Sequence, residues 1–86
     1  MNSRYEFSLR QEVLLEKGAG ILGSLSRYGQ RNGVAVADRD HPINVMYHLV
    51  SKAKHDVLMA ETELDLVKIE AQFDLAKQFA AAIGDT

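Results

Sequence analysis

Residues 17–24 read KGAGILGS, and Gly18, Gly20 and Gly23 within them carry the G-x-G-x-x-G spacing of a dinucleotide-binding turn. In such a turn the glycines let backbone approach a pyrophosphate, and an acid some 20 residues on holds the ribose hydroxyl. Asp38 and Asp40 stand at about that distance from Gly18. EVLL before the glycines and GVAVAD (33–38) after them would then be strands. Three features oppose this chemistry. The first strand would end in Glu16-Lys17, where a buried parallel strand is apolar. The helix after the turn would be short and contain Gly29. No further strands follow, and a doubly wound sheet needs several. No nucleotide cofactor is expected.

The remaining chemical side chains do no better. His41, His48 and His55 are seven apart, about 10 Å per step on a helix, too far to share a metal. No Asp or Glu lies three or four positions from His48 or His55. Glu61, Glu63, Asp65, Glu70 and Asp74 flank apolar rows without implying a pocket for acid–base work. There is no cysteine, hence no disulfide and no thiolate site. The expectation is a protein that is not an enzyme, with no cofactor, metal or small-molecule substrate.

The elements that position these residues have helical spacing. The chain of 86 residues is one domain at most, small enough to be marginal alone, which favours oligomerisation. Ser3-x-x-Glu6 and Ser8-x-x-Gln11 both fit capping boxes. Leu9, Val13, Leu14, Ala19, Leu22 and Leu25 carry helical spacing, so a first helix is expected over about 8–31, with RNG at 31–33 ending it. Gly18, Gly20 and Gly23 either kink or break that helix, at roughly 1 kcal/mol each against Ala, or let another backbone pack closely. Residues 32–41 form a connector. Pro42 suits a first helical position and Gly84 a stop, with no Gly or Pro from Ile43 to Ile83. One long helix over about 42–83 is therefore expected, roughly 60 Å if unbroken.

That helix carries two apolar rows. Met46, Val50, Val57, Leu64, Val67, Leu75 and Phe79, with interposed alanines, make a seam for packing within a hairpin. Leu58, Leu66, Ile69, Phe73, Ala76, Ala80 and Ile83 lie roughly opposite, from residue 58 onward. A shorter first helix cannot cover both sides, so this second row is expected to meet another copy or another protein. The alternative is a helix that folds back into a small bundle within one chain. Residues 1–31 carry net charge +2 and residues 56–86 carry −5, so a basic element laid on an acidic one is complementary. The overall charge of −2 and pI near 5.8 argue against nucleic acid as a partner. No run approaches the ~20 apolar residues of a membrane span, and MNSRYEF lacks the layout of a signal peptide.

HP at 41–42 followed by AETELDLVKIEAQFDLAKQF at 60–79 resembles the C-terminal half of needle subunits of bacterial type III secretion machines. HPINVM (41–46) and SKA (51–53) are similar to flagellar rod-junction subunits. The resemblance implies a helical hairpin, made in the cytoplasm and exported without a leader, that polymerises into a tube. The expectation is thus an all-α, elongated hairpin that self-assembles as an axial filament component. The alternatives are a small homodimeric adaptor or inhibitor gripping another protein, or a virion or phage accessory subunit.

Overall fold

The structure, a computed structural model, describes residues 3–84. It is all-α, with three helices: α1 (Ser3–Arg31), α2 (Pro42–Met59) and α3 (Glu63–Gly84). They pack up–down–up, with α1 and α3 parallel and α2 antiparallel to both. Arg10 of α1 is bridged to Glu63 and Lys17 to Glu70 and Asp74, which sets the parallel register. The molecule measures 50 × 23 × 15 Å, its long axis set by α1, about 43 Å at 1.5 Å per residue.

α1 starts earlier than its spacing predicts and runs unbroken through Gly18, Gly20 and Gly23. The expected break is absent. Its inward row is Phe7, Gln11, Leu14, Gly18, Ile21, Leu25 and Tyr28, a strict alternation of four- and three-residue steps. Leu9, Val13 and Ala19, expected in that row, are exposed. The phase is obscured in the sequence because two inward positions are a polar residue and a glycine. Each has a tertiary role. Gln11 donates through Nε2 to the carbonyl oxygen of Val57 (2.9 Å), an acceptor in the last turn of α2 that also takes the N–H of Ala60 (3.3 Å). Gly18 lies against the ring of Phe73, and a Cβ there would come within 3.0 Å of Phe73 Cζ. A Cβ at Gly20 meets nothing within 4 Å.

At the end of α1, Gly33 takes φ +68°, a left-handed conformation open to glycine. Val34 N–H reaches Gly29 O (2.9 Å) and Gly33 N–H reaches Gln30 O (3.3 Å), the paired bonds of a Schellman stop. The connector that follows is turns rather than a strand. Asn44 pins it by donating to Ala35 O (2.9 Å) and Asp38 O (2.8 Å). His41 caps α2: its backbone is extended, and Nδ1 accepts from Ile43 N–H (3.1 Å), with Pro42 in the first turn. His48 and His55 are exposed along α2.

The expected helix 42–83 is two helices. Ala60 is extended, and the chain turns through Glu61 and Thr62. Thr62 caps α3, accepting at Oγ1 from Asp65 N–H (3.1 Å). Asp65 Oδ2 in return accepts from the N–H groups of Glu61 (3.0 Å) and Thr62 (3.1 Å). This is a reciprocal capping box with Asp in the acidic position. These two backbone bonds hold the Asp65 carboxyl below its ordinary range.

The break reverses the use of the two apolar rows. On α2 the inward positions are Ile43, Met46, Val50, Ala53, Val57 and Ala60. Continued without a break, that spacing would bring Leu64 and Val67 inward. The buried positions are instead Leu66, Ile69, Phe73 and Ala76, with Ala80 and Ile83 partly buried, two residues later and about 200° round the helix. The row expected to meet another copy is therefore the core of the chain itself; of its members only Leu58 is an exposed side chain. Of the expected seam, Val50 and Val57 are buried and Met46 and Phe79 partly so, while Leu64, Val67 and Leu75 face outward.

These contacts are open to mutational test. Gly20→Ala gains helix propensity freely and should stabilise the chain by up to ~1 kcal/mol. Gly18→Ala gains the same but presses on a fully buried ring, at an overpacking cost of about 1–3 kcal/mol. In urea unfolding it should fall at least ~1 kcal/mol below the Gly20 variant; equal stabilities would contradict the Gly18–Phe73 contact. Thr62→Ala should cost ~1 kcal/mol through loss of the cap. Because the folded pKa of Asp65 is lowered, its contribution is whole above the ordinary carboxyl range and is lost as pH falls through the lowered value. Asp65→Asn should flatten that part of an acid titration followed by circular dichroism.

Candidate protein-binding surface

The parallel register of α1 and α3 places the first turns of α1 beside the α2–α3 corner, where the Gln11–Val57 bond ties them. Large apolar side chains crowd the outside of this end. α1 contributes Tyr5, Leu9 and Val13, α2 contributes Leu58 and Met59, and α3 contributes Leu64 and Val67. Tyr5 and Met59 are each 66% exposed, and Leu64 60%. Isolated exposed apolar residues are ordinary on a protein surface; seven at one end of a small bundle make that end the candidate interaction site.

Two groups of charges here pair across α1 and α3. Arg10 is bridged to Glu63, and Leu9, Arg10, Val13, Leu14 and Glu70 line a shallow depression of ≈ 170 Å³. One step along, Lys17 bonds Asp74 and lies 3.8 Å from Glu70. The Asp74 carboxylate, accepting its hydrogen bond, holds the Lys17 ammonium above the ordinary lysine range. The positive first helix and the negative third thus meet within one chain rather than between copies. The pairing sets a neutralised band beside the exposed apolar side chains of this end.

A second apolar depression lies between α2 and α3. Met46, Leu49, Val50 and Ala53 face Gln72, Phe73, Leu75 and Ala76 across ≈ 180 Å³. A third and larger hollow, between the C-terminal halves of α1 and α3, contains Gly20 and is basic. Gly18, Gly20 and Gly23 therefore do not act together: the first packs on the core, the second floors a groove, and the third faces Arg27. No helix among the described residues is long and apolar enough to cross a membrane.

The sequence carries the signal for the apolar end in Leu58, Leu64 and Val67, but divides them between two rows. Leu9 and Val13 of α1, which complete the surface, have spacing that suggests an inward face. The missing information is the corner that brings three helix ends together.

Residues 3–83 match the family described as bacterial epsilon antitoxin, so the chain belongs to that family. No curated protein and no solved structure matches it. The family match overturns the resemblance to needle and rod subunits, and with it the filament and secretion-apparatus reading. That resemblance rests on helix-compatible letters in residues 41–79, which suggest one rod; the chain turns back there at Ala60–Thr62. The match spans both halves of the chain and agrees with the alternative expectation, an inhibitor that binds another protein.

The placement of the two α3 rows gives a direct test. Phe73 is fully buried and Leu75 is 66% exposed. Phe73→Glu, which puts an unpaired charge in the core, should unfold the chain, whereas Leu75→Glu should leave its melting temperature within a few degrees. A folded Phe73→Glu monomer would return that residue to an outer face.

Proposed function

We propose that this member of the bacterial epsilon antitoxin family neutralises a partner toxin by binding it, and that the apolar end formed by α1 and the α2–α3 corner is the binding surface. The family match over residues 3–83 carries the reading. The surface supports it. Tyr5, Leu9, Val13, Leu64 and Val67 offer apolar anchors on rigid helices, so little order has to be imposed on binding. The Arg10–Glu63 bridge among them is already neutralised, so that pair brings no lone charge into the contact. Inhibition then works by occupancy: the bundle covers part of the toxin and performs no chemistry.

The family match favours another protein as partner. The core row that was expected to need a second copy is satisfied inside one chain, so the residual apolar surface is the outward one.

The test begins with the tagged chain recovered from its native host. The protein that copurifies should arrest growth when produced alone and should cease to do so when the two are produced together. Leu64→Glu and Val13→Glu, both at exposed positions, should leave the bundle folded. Each should weaken the complex roughly ten- to thirtyfold, the loss typical of an interface anchor. Full neutralisation by the double variant would sink the assignment of this surface, and absence of a growth-arresting partner would sink the function.

A further inference from the structure

We infer that the groove between the C-terminal halves of α1 and α3 is a second docking site, built to receive an acidic α-helical segment of another protein. It is an open hollow of ≈ 570 Å³ that begins at Glu16 and Lys17 and runs away from the apolar end. Gly20, Ser24, Ala80 and Ala81 line it with small side chains. Nothing lies within 4 Å of a Cβ at Gly20, so this part of α1 is open to a partner's approach. Lys17 and Arg31, both at the groove, are fourteen positions apart on α1, which makes the trough about 21 Å long. That is a length of about four helical turns.

Its charge is as particular as its shape. Lys17, Arg27, Arg31 and Lys77 border the groove, against Glu16 alone, in a chain whose net charge is −2. Lys17 is spoken for by Asp74 and Glu70. Among the described residues no carboxylate comes within 4.0 Å of Arg27, Arg31 or Lys77. The pairing between α1 and α3 that begins at Arg10–Glu63 stops at Asp74, and the cations beyond it have no carboxylate partner among the described residues.

Arg27 is held along the groove. Its guanidinium folds back so that Nη1 would lie 3.2 Å from a Cβ at Gly23, and Nη2 donates to Ser24 Oγ (3.4 Å). Arg27 and Arg31 are four apart on one helix, a like-charge spacing that costs helix stability unless acids neutralise it. The described residues supply none, and a partner's carboxylates would.

The spread of the cations selects the occupant. Gly18 lies against Phe73, so Lys77 is level with about residue 22, and Arg31 is roughly 14 Å further along the axis. Charges strung out in this way match carboxylates repeated along a helix better than one small anion. Ile21 and the partly buried Tyr28 add apolar wall for the intervening side chains. This is the helix-in-groove mode with electrostatic complementarity.

The test uses the full chain and three probes, followed by amide chemical shifts. The first is a synthetic Ala/Leu helix carrying Glu at four-residue spacing, the second the same helix with Gln for Glu, and the third inorganic tripolyphosphate. The Glu helix should shift Gly20, Ser24, Tyr28, Ala80 and Ala81 saturably, and more weakly as salt is raised. The triple variant Arg27→Gln, Arg31→Gln, Lys77→Gln should lose roughly tenfold in affinity, as three exposed ion pairs allow. Gly20→Leu fills the groove and should abolish binding without lowering the melting temperature. Toxin neutralisation is scored separately and need not change in either variant. Equal binding of the Gln helix, shifts centred outside the groove, unaltered binding by Gly20→Leu, or tighter binding of tripolyphosphate than of the Glu helix would each overturn the proposal.

Discussion

At the α2–α3 corner, Thr62 and Asp65 satisfy the amide groups that a new helix leaves open, and Ala60 ends the old helix in extended geometry. The cost of ending one helix and nucleating another is met locally. The consequence is global, because the three residues between the helices shift the inward row by two positions, about 200° of helical phase. Leu66, Ile69 and Phe73 turn inward and Leu64, Val67 and Leu75 turn outward. Without the corner α3 could not pack on both α1 and α2, and Phe73 would have no Gly18 to lie against.

Charge reinforces that arrangement without determining it. The Arg10–Glu63 and Lys17–Asp74 bridges are exposed, and pairs of this kind contribute ~1 kcal/mol or less. Their value is in register, since the parallel alignment matches bases of α1 with acids of α3. The mismatch that remains is informative. Acids run out on α3 after Asp74 while bases continue on α1 to Arg31. One end of the bundle therefore exposes apolar side chains beside the Arg10–Glu63 pair, and at the other no carboxylate among the described residues pairs with Arg27, Arg31 or Lys77. A protein that only had to fold would not need either feature. The proposed toxin contact gives a use for the apolar end and leaves the basic groove as an additional surface.

Several elements are legible in the amino-acid sequence. The all-α class follows from composition and period. The start of α2 at Pro42, with His41 capping it, follows from the conformational limits of proline. Gly33 as the end of α1 follows from the left-handed conformation that a Schellman stop requires. The corner at 60–62 is also encoded, in Thr62-x-x-Asp65, but a stretch lacking Gly and Pro has the signature of a continuous helix. A cap motif announces a helix start only where the preceding helix is known to end, and nothing in a run of good helix formers forces that end.

The sequence alone therefore determines which side chains share a helix face, because 3.6 residues per turn is a property of the backbone. It does not determine which face looks inward. That choice depends on the length of the break between α2 and α3, and on contacts more than forty residues apart: Gln11 with Val57, Gly18 with Phe73, Lys17 with Asp74. Two apolar rows of similar strength are equivalent in sequence. Only the tertiary structure distinguishes them, because burial depends on what lies opposite a residue, and local spacing carries no information about that.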